Sequence, residues 1–182
     1  MNQGTGTQDV WASRVRWIHW LMALLMIGMM VGGFVMADMP KDDPLKYPMY
    51  DFHKATGMVL LFLIVVRIVI RLTVKAPAYP KSMPRWQCLV AHALHGILYL
   101  LMIALPVSGY LMSTYAGYPV SFYGLFDFPM LVNENDEAFE VFHDGHEIFG
   151  AVVAALVILH ALAALKHHVV DKDDILKRML GR

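Results

Sequence analysis

GHEIFGAVVAALVILHALAALKHH, residues 145–168, is an apolar run long enough to cross a bilayer, with a histidine near each end. A hydrocarbon core about 30 Å thick needs about 20 helical residues. His146 and His160 are fourteen residues apart. On an α-helix this is about 21 Å along the axis and about 40° short of a whole number of turns. Two imidazoles would then point from one helix face at two depths of the membrane. That arrangement suits two stacked metal centres.

The composition around this stretch agrees. Of 182 residues, 58% are hydrophobic and 16% charged, against roughly 45–50% and about 25% in soluble domains. The mean hydropathy is +0.50. A soluble chain of this length could not hide so much apolar surface, so an integral membrane protein is expected. The formal net charge is zero, which gives no basic field for nucleic acid. The one cysteine, Cys88, allows no intramolecular disulfide, and the absence of CxxCH excludes haem attachment through that motif. The fourteen methionines are spread through apolar runs and read as packing or lipid-facing residues rather than ligands.

Three more segments are long enough to span. The four are residues 17–37, 52–72, 90–112 and 146–168, which predicts an all-α, four-helix up-down membrane bundle. The first follows Arg14 and Arg16, but its full length and internal histidine mark a retained span rather than a signal peptide. Residues 1–16 form a short N-terminal segment, of which the first ten look disordered, and residues 17–182 form one membrane domain.

Loop charges orient the bundle. Arg14 and Arg16 precede span one; Arg67, Arg71, Lys75, Lys81 and Arg85 line the junction of spans two and three; Lys166, Lys172, Lys177, Arg178 and Arg182 lie in the tail. The loop of residues 113–145 has no Lys or Arg. Both termini are therefore expected in the cytoplasm and the 113–145 loop in the periplasm. Within it, residues 119–132 (PVSFYGLFDFPMLV) are aromatic and apolar and suit the membrane interface. The acidic run that follows suits the start of a helix.

Topology sorts the histidines by depth. His53 and His146 fall near the outer side, and His19 and His160 near the inner side. Facing bis-histidine pairs are a way to hold haem b in a four-helix bundle. Polar side chains inside a membrane are costly and call for a reason. Gly57 and Gly150 each follow a histidine by four residues and share its face, and Gly28, Gly32 and Gly33 could also leave room for a macrocycle.

Spacing alone leaves alternatives open. His92 and His95 share the inner side with His19 and could compete for that centre, whereas His143 is about 100° from His160 and fits worse. His143, His167 and His168 can be read as interfacial residues. A zinc site would want four ligands in one knot, and a proton-coupled transporter would want carboxylates near the bilayer centre. Neither pattern is present.

RWIHW (16–20), DFHKATG (51–57), AHALHGILYLLMIALPVSGYLMS (91–113), GHEIFG (145–150), VILHALAALKHH (157–168) and DKDDILKRML (171–180) together resemble the bacterial cytochrome b561 family, over nearly the whole chain. The resemblance implies an inner-membrane di-haem b cytochrome. It places ligands at His19 and His160 for the inner haem and at His53 and His146 for the outer one, the same pairs that depth gave.

It also implies electron exchange with ubiquinone or ubiquinol near the inner side. Candidates for a quinone site there are His95, His167, Lys81, Ser82 and Arg85. Lys81 and Arg85 read equally as positive-inside anchors. Arg67 and Arg71 could meet haem propionates or snorkel to lipid phosphates.

One branch of the family oxidises superoxide and uses a basic outer surface. Here the outer segments carry Lys41, Lys46 and Lys54 against eleven acidic residues, among them Asp38, Asp42, Asp127, Glu134, Asp136 and Glu140. Such a rim repels an anion. The expected function is transmembrane electron transfer with an unidentified periplasmic partner. Superoxide:ubiquinone oxidoreduction is the second reading, and a haem-b anchor subunit of a larger respiratory enzyme the third. A haem-free transporter is the remaining class.

Overall fold

The computed structural model describes residues 10–182. The expectation of disorder in the first ten residues therefore lies outside the described residues, Val10 excepted. The chain forms α1 (Ser13–Asp38), α2 (Lys46–Thr73), α3 (Arg85–Tyr115) and α4 (Asp136–Lys166), a π-helical turn His167–Asp171, and α5 (Ile175–Leu180). Among the described residues there is no strand beyond one isolated bridge, Ser121 to Asp127.

All four long helices are apolar enough to cross a membrane. α1, α2 and α3 run past the apolar stretches read from the sequence at both ends, α4 starts ten residues before its stretch and passes into the π-helical turn at His167, and non-helical chain between α3 and α4 is confined to residues 116–135. Within lipid every backbone polar group must be paired internally, which holds the apolar stretches helical. Asn135 starts α4 by accepting the Ala138 N–H at 2.8 Å, and Asp136 and Glu137 occupy the first turn. This is a capped N-terminus with acidic residues at the positive end of the dipole.

The backbones pack α1 on α2, α2 on α3 and α3 on α4, whereas α4 makes almost no close backbone approach to α1 or α2. Side chains fill part of that gap in three layers. Seven residues bring a helix back to within about 20° of the same face, and fourteen to within about 40°. Each long helix uses this interval: His19, Met26 and Gly33 on α1; His53, Leu60 and Arg67 on α2; His95, Met102 and Gly109 on α3; His146, Val153 and His160 on α4.

The middle members form the core. Met26, Leu60 and Val153 are buried together with Met22 and Ile64, and Met102 packs against them. The core thus separates two polar layers. One lies at the end where residues 172–182 fold back (the tail end), the other at the end covered by residues 116–135 (the hairpin end). Large apolar side chains such as Leu24, Phe62, Leu72, Leu100 and Leu162 are exposed on the outside, as a surface solvated by lipid requires.

Candidate functional site

At the hairpin end the His53 and His146 ring centroids are 6.3 Å apart, with planes at 78°. At the tail end His19 and His160 are 6.2 Å apart, at 70°. A metal–imidazole nitrogen bond is about 2.0–2.1 Å, and a ring nitrogen lies about 1.1 Å from its centroid, so two rings on opposite sides of one metal have centroids about 6.2–6.4 Å apart. Both pairs have the separation that axial ligation of one iron needs. His95 is nearer to His160, at 5.3 Å. That is too short for opposite faces of one metal, so it fits beside the centre better than within it.

His146 has a defined tautomer. Its Nδ1 lies 3.0 Å from the Leu105 carbonyl and 3.1 Å from Ser108 Oγ. A carbonyl only accepts, so Nδ1 carries the proton and Nε2 keeps its lone pair for a ligand bond. A second ring nitrogen bound to a backbone carbonyl is the usual support of a metal-bound histidine.

Two glycines let neighbouring helices approach the hairpin-end rings. A Cβ on Gly109 would fall 2.8 Å from His146 Cε1, and one on Gly33 would fall 3.4 Å from His53 Cε1. Gly33 was among the glycines expected from the sequence to leave room; Gly109 was not. The other expected glycines do not touch the rings. A Cβ on Gly57 would meet Met29, and one on Gly28, Gly32 or Gly150 would meet nothing within 4 Å. Open space beside Gly28, Gly32 and Gly150 is what room for a macrocycle would need, whereas Gly33 and Gly109 meet the rings themselves. The missed signal was arithmetic: Gly109 follows His95 by the interval that separates the α4 histidines.

The tail-end layer is chemically richer. Its four positions are His19, Arg67, His95 and His160, against His53, His146, Gly33 and Gly109 at the hairpin end. Arg67 Nε donates to the Tyr99 hydroxyl at 3.2 Å, and its Nη1 is buried without a partner.

The remaining sequence-derived candidates spread over the tail end. His167 Nδ1 lies 2.6 Å from Asp173 and 3.1 Å from Asp171, so it is engaged by the tail. Lys81, Ser82 and Arg85 are exposed. Nearby Tyr79 stacks edge-on with His92. Burial raises the Tyr79 phenol above its ordinary range, the Cys88 thiol adding and Arg71 opposing. The tail is pinned across this end. Trp20, beside His19, donates from Nε1 to the Met179 carbonyl at 3.1 Å, and the Trp11 N–H donates to Arg178 at 3.3 Å.

At the other end residues 120–128 form a hairpin. Tyr123 and Gly124 both have positive φ, 51° and 76°, as a two-residue type I′ turn requires. Tyr-Gly between alternating aromatic residues was the sequence signal for it. Thr56 Oγ1 donates to the Phe52 carbonyl at 2.7 Å, so it accepts from the Tyr123 hydroxyl at 3.0 Å. That bond ties the hairpin one helical turn from His53. Two of the three lysines here are occupied: Lys54 pairs with Asp51 at 3.1 Å and Lys46 donates to the Met39 carbonyl at 2.5 Å, while Lys41 is exposed. Asp38, Asp42, Asp127, Glu134, Asp136 and Glu140 are exposed. His143, set apart from the pairs by its angle on α4, lies beside Asp144 and Glu147.

Comparison with known proteins gives one family. The family described as "Prokaryotic cytochrome b561" matches residues 10–182. The chain is 36% identical to "Cytochrome b561 homolog 2" of Escherichia coli (strain K12), over 90% of this chain and 87% of that one. It is 29% identical to "Cytochrome b561 homolog 1" of the same organism, over 91% and 94%. It is also 34% identical to "Probable superoxide oxidase CybB" of Yersinia pestis, over 91% and 92%.

Proposed function

Because this chain belongs to the prokaryotic cytochrome b561 family, and so is a haem b protein of a bacterial membrane that carries electrons across it, we propose that it holds two haems b and links them to quinone. His53 and His146 ligate the one at the hairpin end, and His19 and His160 the one at the tail end. The observation that carries this is the pair of matched imidazole separations, 6.3 and 6.2 Å, about 21 Å apart along α4.

Bound haem would supply a one-electron couple, and two histidine ligands to it would favour electron transfer over oxygen binding. The chain's residues do the rest. Leu105 and Ser108 fix the His146 tautomer. Met26, Leu60 and Val153 keep water out of the layer between the centres. The basic residues gathered at the tail end support the orientation with both termini in the cytoplasm, residues 17–182 being the membrane domain.

Ubiquinone or ubiquinol is the expected inner partner. It would enter at the tail end, where His95 and the Lys81–Ser82–Arg85 side offer hydrogen-bond donors beside an apolar wall. The exposed acidic rim at the hairpin end suits a basic electron-transfer protein in the periplasm.

A second reading, oxidation of superoxide at the outer side, is motivated by the name of the Yersinia relative. The acidic rim weighs against it, since like charge slows the encounter.

The test is spectroscopic. Purified protein is expected to show a b-type α-band on reduction and two haems per chain by pyridine haemochrome. In oriented vesicles, ubiquinol is expected to reduce the haems from the cytoplasmic side. One haem or none per chain defeats the ligand assignment, and inertness to ubiquinol defeats the quinone assignment alone.

A further inference from the structure

The two polar layers differ in one charged group, and that difference needs a partner. Fourteen residues after His53, α2 places Arg67 at the depth of His19 and His160. Arginine at this depth normally snorkels to lipid headgroups. Arg67 does not. Its Nε is tethered to Tyr99 Oη on α3 at 3.2 Å, its guanidinium lies over the Tyr99 ring at 5.8 Å, and Nη1 has no exposed surface and no acceptor. The four long helices carry Asp and Glu only near their ends. The tail acids are engaged elsewhere: Asp171 with Lys166 and His167, Asp173 with His167, and Asp174 with Lys177. Arg67 as a whole is half-buried, but a guanidinium nitrogen buried without an acceptor is unfavourable, and the planar fork of the group matches an oxyanion.

We propose that Arg67 anchors a carboxylate of the group held between His19 and His160, a propionate of haem b. The inference rests on the ligand reading above. Two things follow. The tail-end haem has a fixed orientation about its axial bonds, because one propionate points to α2 between α2 and α3. The tail-end haem also carries a cation that the hairpin end lacks, where Gly33 and Gly109 fill the equivalent depth. A cation beside the iron favours the ferrous form, so the tail-end centre is the more readily reduced of the two, as suits the end that faces quinone.

The holoprotein, with haem propionates carrying ¹³C carboxylates, is studied by redox-difference infrared spectroscopy and by potentiometric titration. Wild type, Arg67→Met and Arg67→Lys are compared in maltoside detergent and in phospholipid nanodiscs. In Arg67→Met the propionate bands are expected to shift. The ferrous-to-ferric ratio of one haem, at fixed ambient potential, is expected to fall at least tenfold, about 59 mV for one electron. Arg67→Lys should restore most of the potential but not the bands, because it keeps charge and loses the fork.

Propionate bands that do not respond to Arg67 overturn the proposal. So does an effect confined to nanodiscs, which would assign the partner as a lipid phosphate. If Arg67→Met does not fold, Tyr99→Phe decides: freeing Nε should shift the same bands, and unshifted bands reject the idea. Haem stoichiometry separates the two readings. Fewer than two haems in the wild type fails the ligand assignment, whereas two haems with insensitive propionates fails only the role of Arg67.

Discussion

Gly109→Ala adds one carbon at the tightest glycine contact with a proposed ligand. The new Cβ would stand 2.8 Å from His146 Cε1 and 3.1 Å from its Nδ1. Ordinary carbon–carbon contact is about 3.5–4.0 Å, so the ring must retreat by at least about 0.7 Å. It has little freedom to do so, because Nδ1 is bound to the Leu105 carbonyl and Ser108 Oγ while Nε2 faces the proposed iron. Overpacking of this kind costs about 1–3 kcal/mol, and a stretched neutral hydrogen bond forfeits about 0.5–1.5 kcal/mol. Disturbing the support of a metal-bound histidine typically weakens binding about 10–100-fold, which is of similar size.

The expected outcome is a purified variant with less than two haems per chain by pyridine haemochrome. The low-spin electron paramagnetic resonance signal of one haem should be lost or displaced and the other unchanged. Gly96→Ala is the control, because Gly96 is exposed on α3 and its Cβ would meet nothing within 4 Å; it should retain both haems and both signals. A Gly109→Ala protein with two haems, two unaltered signals and unchanged thermal stability would refute the close-approach argument.

The other predictions concern the pairs, the hairpin and the rim. His146→Ala should remove one haem and His160→Ala the other, read by stoichiometry and potentiometry; loss of both in either variant would show that the sites are not independent. Tyr123→Phe removes the hydroxyl bonded to Thr56 and should cost about 1 kcal/mol, lowering the thermal midpoint and increasing proteolysis within residues 116–135 while leaving haem content intact; a loss of haem would contradict this. Superoxide in a stopped-flow mixer should reduce the haems no faster than in an inert-protein control, and fast reduction would promote the second functional reading. A basic periplasmic donor should react more slowly as salt rises, since rim charges are screened beyond about 8 Å at physiological ionic strength; a salt-independent rate would remove the rim from the encounter.

The architecture was legible in the sequence because lipid simplifies it. With no water in the membrane core, a run of about 20 apolar residues has to be a helix, and four such runs with alternating loops give four neighbours. The α4 histidines were legible for the same reason: one rigid helix converts a spacing of fourteen into a depth and a face. The mates His19 and His53 followed from depth. What spacing could not do was choose between His19 and His95 for His160, since both lie at the same depth. The separations of 6.2 and 5.3 Å favour His19 in the proposed pair.

Tertiary structure alone decided the rest. The interval from His95 gives Gly109 a depth and a face on α3, but only the packing of α3 on α4 shows that a His146 ring lies against it. Arg67 reads as an ordinary inner-side arginine until Tyr99 of α3 draws it inward and buries Nη1. His167 shares a face with His160, yet the π-helical turn and fold-back of the tail give it to Asp173. Sequence determined what each helix carries at each depth, because periodicity is a property of one chain segment. Which of those groups meet depends on the rotation and separation of helices, and that is set by packing between segments far apart in the chain.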